Sequence, residues 1–203
     1  MSNSIYATEF YYKILDHLPL IPEAFLHHTE FAKALTRPHG LQIPGQSGYS
    51  RSDGKETAPN IISTEIPSNL LMWINKKITP THNDLVLYRK VIVDDDNNNN
   101  FYPAHVDTYR RFTLLYNIVD SGGELVFWKE KDQPIFRELA PGPFKDYSRL
   151  EELCRFPSPH KKWYLLNSQV IHGVENLGSV RENIQIECQL TDQIVIDYLK
   201  PLV

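Results

Sequence analysis

From residue 84 onward, apolar and polar positions repeatedly change places every second residue. A period of two puts alternate side chains on opposite faces of an extended strand. Residues 84–93 (Asp-Leu-Val-Leu-Tyr-Arg-Lys-Val-Ile-Val) are β-branched and apolar, and further strands are expected over 111–119, 124–129, 163–167, 170–174 and 182–190. Over 111–119, Arg111, Thr113, Leu115 and Asn117 share one face, and Phe112, Leu114, Tyr116 and Ile118 the other. In the last strand Arg181, Asn183, Gln185, Glu187 and Gln189 form a polar row against Ile184, Ile186, Cys188 and Leu190. From Gln185 to Gln189 that row reads as a solvated face.

The pattern before residue 80 is different. Residues 8–35 read as two helices broken at Leu18-Pro19-Leu20-Ile21-Pro22, because proline ends one helix and tolerates the start of the next. They are expected to cover one face of a sheet. Residues 37–60, rich in Gly, Pro, Ser and charge, are expected to form a long loop, and loops of that length within a compact domain are usually functional or disordered, a substrate lid being one reading. A helix is expected over 63–78, opened by Thr64, Glu65 and Pro67 and apolar at Leu70, Leu71, Trp73, Ile74 and Ile78. Residues 94–100 make a polar loop, and Asp120-Ser-Gly-Gly123 a tight connection between two strands. The fold class is therefore mainly β with N-terminal helices, its core a double-stranded β-helix of the jelly-roll, cupin-like type. One domain is expected over 1–203, with helical support and a loop over 1–80 and the jelly-roll core over 81–203.

Charge narrows the partners. The formal net charge is −4, the isoelectric point is near 6.1, and no long basic run occurs, so neither nucleic acid nor an anionic membrane is an electrostatically favoured partner. Two cysteines, Cys154 and Cys188, lack metal-knuckle spacing. With no basic leader and no apolar run of spanning length, the expectation is a soluble cytoplasmic protein. The oligomeric state is left open.

The chemistry gathers at Phe101-Tyr-Pro-Ala-His105-Val-Asp107. In an extended chain, residues i and i+2 project from one face, so an imidazole and a carboxylate would converge on one point. The same spacing in His28-Thr29-Glu30 lies in a stretch that reads as helix, where i and i+2 point roughly 200° apart. The third ligand is sought in Gln169-Val-Ile-His172-Gly, flanked by β-branched residues and a glycine. Two histidines and one aspartate make the facial triad that binds Fe(II) and leaves open positions. Arg181 lies nine residues after His172, so one strand hairpin would return it to the same cavity, where its planar fork suits a carboxylate. Asn183 shares its face. Arg111 is a candidate to touch substrate or to pair with a carboxylate.

The set His105-x-Asp107, His172 and Arg181-x-Asn183 resembles the iron and 2-oxoglutarate dioxygenase superfamily. Thr113-Leu-Leu-Tyr-Asn and Ser121-Gly-Gly-Glu-Leu-Val-Phe127 resemble its prolyl 4-hydroxylase-like branch, and His172-Gly-Val-Glu-Asn176 with Arg181 is similar to the distal half of aspartyl/asparaginyl hydroxylase-like proteins. The matching residues span about 85–190. The resemblance implies iron ligation by His105, Asp107 and His172, and Arg181 holding the tail carboxylate of 2-oxoglutarate. It also implies help from a tyrosine before His-x-Asp, with Tyr88 the first choice and Tyr102 the second. The usual Ser or Thr after the arginine is Asn183 here. The implied reaction is hydroxylation of a peptidyl or free amino acid, with succinate and carbon dioxide released and ascorbate as an accessory reductant. Two rivals stand beside it: a cupin-like metalloenzyme that does without 2-oxoglutarate, and a non-catalytic jelly-roll binding module.

Overall fold

The structure is a computed structural model, and it describes residues 11–26, 49–50, 56–57, 60–78, 85–92, 100–107, 112–134 and 142–188. Thirteen strands and one α-helix are assigned within them. The strands are β1 (Tyr12–Ile14), β2 (Tyr49–Ser50), β3 (Glu56–Thr57), β4 (Asn60–Glu65), β5 (Leu85–Ile92), β6 (Tyr102–Val106), β7 (Phe112–Asn117), β8 (Glu124–Glu130), β9 (Gly142–Pro143), β10 (Leu150–Pro157), β11 (Trp163–Asn167), β12 (Ile171–Glu175) and β13 (Arg181–Cys188); the helix, α1, is Ser68–Lys77. All the pairings are antiparallel. One sheet runs β1-β11-β7-β13-β5-β4, the other β10-β8-β12-β6-β9, and β2 pairs with β3 alone.

Alternation along the central strands sorts the apolar residues into layers. The even-numbered face of β7 (Phe112, Leu114, Tyr116) packs with Trp163, Leu165, Ile184 and Ile186 against Leu70, Ile74 and Ile78 of the α1 region and Leu15, Ile21 and Leu26 of the N-terminal segment. Leu115, on its other face, joins Leu125, Phe127, Tyr164, Leu166 and Val174 between the two sheets. A third cluster of Val126, Trp128, Leu150 and Ile171 covers the far side of the second sheet. Every residue of β7 is buried because that strand lies between the helix-covered layer and the inter-sheet layer.

Several expectations change. The first of the two N-terminal helices is replaced by β1, whose Tyr12 faces Leu166 in β11, and a single 3-10 turn, Glu23–Phe25, stands within the second; residues 27–35 lie outside the described part. Pro19 still works at this position, its carbonyl accepting from Trp163 Nε1 at 3.0 Å. The helix expected from residue 63 begins at Ser68, because Asn60–Glu65 is taken up as an edge strand on β5. The connection 118–123 does not close a hairpin. It carries the chain from β7 in one sheet to β8 in the other, with Gly122 in a left-handed turn at φ 66°. The long loop expected over 37–60 lies outside the described residues, apart from Tyr49–Ser50, Glu56–Thr57 and Asn60, which are in strands.

Candidate metal centre

His105, Asp107 and His172 come together. His105 and His172 are cross-strand partners in the β6–β12 pair, with ring centroids 4.3 Å apart, and Asp107 follows the end of β6. One ligand atom from each of the three lies within 4.8 Å of the others, and His105 Nε2 to Asp107 Oδ1 is 3.6 Å. An ion bound at about 2.0–2.2 Å to each ligand would hold neighbouring donors about 3 Å apart, so small side-chain rotations close the three on one ion. The tautomers also suit a metal. His105 Nδ1 donates to the Pro103 carbonyl and His172 Nδ1 to the Val170 carbonyl, each at 2.9 Å, and a carbonyl can only accept. In the neutral rings the lone pairs therefore sit on Nε2. The backbone N–H of Asp107 donates to the Ser168 carbonyl at 3.1 Å, and Ser168 Oγ is bonded to Thr113 Oγ1 of the opposite sheet at 2.9 Å. These residues can hold a divalent ion while leaving coordination positions open towards a pocket.

That pocket lies between the sheets and opens to solvent. One wall carries the triad; β5, β7 and β13 supply Arg89, Thr113, Leu115, Arg181, Asn183 and Gln185. Arg181 reaches it from the opposite sheet, not by a hairpin from β12. Its side chain is 5 % exposed, Nη2 donates to Tyr164 Oη at 2.9 Å, and Nη1 is buried without a partner. Because the Tyr164 oxygen accepts from Arg181, its own proton is left for Asn117 Oδ1, 3.5 Å away. Asn183 lines the same space, with Oδ1 buried and unpartnered. That atom is an acceptor and suits a hydroxyl, an ammonium or water better than a carboxylate.

Tyr88 does not line the pocket. It packs in the helix-side cluster and its hydroxyl donates to Glu182; burial first, and that carboxylate second, push its phenol far above the usual range. Tyr102 does line it, edge-on to His105 at a centroid distance of 4.9 Å. Gln185, expected in a solvated row, is 3 % exposed and faces the pocket, since that side of β13 meets the second sheet and not water. Arg111 and Gln189 lie outside the described residues. Arg89 was not singled out by the sequence. Its signal is there in retrospect: a cation at mid-strand on the same face as Val91, within an apolar run.

No family model and no curated protein matches this chain. Among solved structures it is similar to cobalt(II) HppE in complex with substrate, at 14 % identity and a TM-score of 0.30, over 70 % of this chain and 62 % of that one. This chain thus spans less than two thirds of that protein. It is also similar to the L-ribose isomerase of Acinetobacter sp. DL28 in complex with L-ribose, at 13 % identity and a TM-score of 0.34, over 81 % of this chain and 78 % of that one. Neither likeness is close enough to bear on the chemistry of the pocket.

Proposed function

We propose that this protein is an Fe(II)- and 2-oxoglutarate-dependent dioxygenase that hydroxylates a small substrate, with a jelly-roll core. The strand orders support the fold: β5, β13, β7 and β11 adjoin in one sheet, β6, β12, β8 and β10 in the other, so successive strands from β5 to β8 wind from sheet to sheet. The observation that carries the function is Arg181. A buried guanidinium with an unpartnered nitrogen, in the same pocket as a two-histidine, one-carboxylate cluster, costs several kcal/mol unless an anion joins it (on the order of the effective penalty for a buried ion). A dicarboxylate reaching from the ion to Arg181 satisfies both ends.

Iron bound here with 2-oxoglutarate would supply oxygen activation and the hydroxylation of a C–H bond. The chain's own residues do the rest. His105, Asp107 and His172 hold the ion, Arg181 fixes the far carboxylate, and Tyr164 keeps the guanidinium fork in one orientation. Leu115, Leu125 and Leu166 keep that part of the pocket apolar.

The test is succinate formation as a function of 2-oxoglutarate concentration, beside calorimetric Mn(II) binding without oxygen. Arg181→Ala should weaken 2-oxoglutarate by about one and a half to four decades, the equivalent of about 2–5 kcal/mol. Arg181→Lys should recover part of the loss, since it keeps the charge without the fork. Metal affinity should be unchanged in both and lost in His105→Ala and Asp107→Ala. A wild-type-like curve for Arg181→Ala would sink the co-substrate reading; metal bound without succinate would leave a cupin-like metalloenzyme.

A further inference from the structure

Arg181 is not the only guanidinium in the pocket. Arg89, on β5, lies across from Asn183 of β13, and Arg181 lies across from Val91 of β5, so the two arginines occupy neighbouring positions on adjacent strands. Both line the pocket. Arg89 Nε is buried and, like Arg181 Nη1, has no hydrogen-bond partner. Among the described residues that line the pocket, Asp107 is the only carboxylate, and it belongs to the metal cluster. A single dicarboxylate with one end at the ion and the other at Arg181 leaves Arg89 unanswered. We infer that Arg89 is a second carboxylate-binding group, so that the substrate taken beside 2-oxoglutarate is itself a small carboxylic acid. The inference rests on the proposed co-substrate for its word "second", but the anion site at Arg89 stands on its own geometry. It also disfavours an internal peptide residue with an uncharged side chain, which offers Arg89 no carboxylate to meet.

The probe is formate, the smallest carboxylate, titrated by calorimetry into Mn(II)-loaded protein without oxygen, with and without saturating 2-oxoglutarate. In the wild type, formate should still bind when 2-oxoglutarate is saturating, because Arg89 remains available. Arg89→Met should weaken that binding about tenfold or more, about 1.4 kcal/mol per decade, while 2-oxoglutarate affinity stays within about twofold. Arg181→Met should do the reverse. Stability gives a readout that needs no ligand: removing a buried, unpartnered donor should leave the thermal midpoint of Arg89→Met equal to or above the wild type. Formate binding untouched by Arg89→Met overturns the inference, as does a midpoint lowered by several degrees, which would make Arg89 structural. Loss of 2-oxoglutarate in Arg89→Met as large as in Arg181→Met overturns it too, because both arginines would then hold one molecule. If 2-oxoglutarate binds to neither wild type nor variant but formate still needs Arg89, the co-substrate reading fails and the anion site survives.

Discussion

Glu182 is a carboxylate only 7 % exposed, and it is held by two neighbours. Lys90 Nζ lies 3.2 Å from its Oε1, and the Tyr88 hydroxyl donates to it. Tyr88→Phe removes that donor and keeps the ring, so the buried carboxylate loses a partner at a cost of about 1–3 kcal/mol. Denaturant unfolding should show that loss, while Mn(II) and 2-oxoglutarate affinities stay at wild-type values; a variant of normal stability that binds 2-oxoglutarate poorly would return Tyr88 to the pocket. The single step from Tyr88 to Arg89 also shows what was legible. Alternation along β5 could be read from the chain, but which of its faces met the pocket could not, because that depends on what covers each side. His105, Asp107, His172 and Arg181 could be picked out as a set by their strand context and the resemblance, since the His-x-acid spacing alone also occurs at His28-Thr29-Glu30. Gln185 could not, because a polar row facing a buried pocket and one facing water have the same letters.

At the scale of elements, β12 places His172 opposite His105, and it does so next to a register shift between His172 and Val174 in its pairing with β6. Gly173 sits at that shift. A Cβ there would come within 2.7 Å of the Tyr102 carbonyl oxygen, 3.0 Å of that of Pro103 and 3.1 Å of Ala104 N, all of them backbone atoms. Gly173→Ala must therefore push β6 and β12 apart. It should cost about 1–3 kcal/mol of stability, as overpacking does, and weaken Mn(II) binding as well, because both histidines ride on the strands displaced. Gly123→Ala is the control. Its Cβ would meet mainly side-chain atoms, Leu177 Cδ2 at 2.7 Å and Val174 Cγ1 at 2.9 Å, which can turn aside, so metal affinity should hold. Equal loss of Mn(II) affinity in the two would mean that spacing at the β6–β12 shift does not set the site. Short or polar strands were the elements that the sequence hid. β1 is three residues long and owes its form to β11, a partner some 150 residues away. β10, with its Leu-Glu-Glu-Leu start and mostly exposed face, is stabilised by pairing with β8 and carries little apolar alternation of its own.

Across the whole molecule, the two sheets contribute different walls of the pocket, the triad from one and the arginines from the other, so its geometry depends on both sheets staying intact. The sequence could supply residues of both walls but not the crossing that joins them, since a chain passing between sheets and a hairpin within one use similar turns. The triad's own sheet is tied together on its surface by Arg155 of β10. Arg155 bonds Glu152 on its own strand at 2.8 and 3.0 Å and Glu124 of β8 at 2.7 Å, and Asn176, just after β12, donates to Glu124 at 2.6 Å. Arg155 is the largest cause holding the Glu124 and Glu152 carboxyls below their ordinary value of 4.5, with Asn176 adding to the effect at Glu124. A carboxyl with a lower value in the folded chain than in the unfolded one stabilises the fold above the unfolded value, and that contribution disappears as pH falls through the folded one. Arg155→Met should therefore be less stable than wild type near pH 7, and the gap should begin to close as pH drops below about 4.5 and vanish in stronger acid. Since the cluster is partly exposed, molar salt should narrow the gap at pH 7 as well. Urea midpoints of the two proteins, followed from pH 7 downward at low and high salt, measure this directly; a gap that stays constant with pH would show that Arg155 acts through the packing of its aliphatic stem and not through its charge.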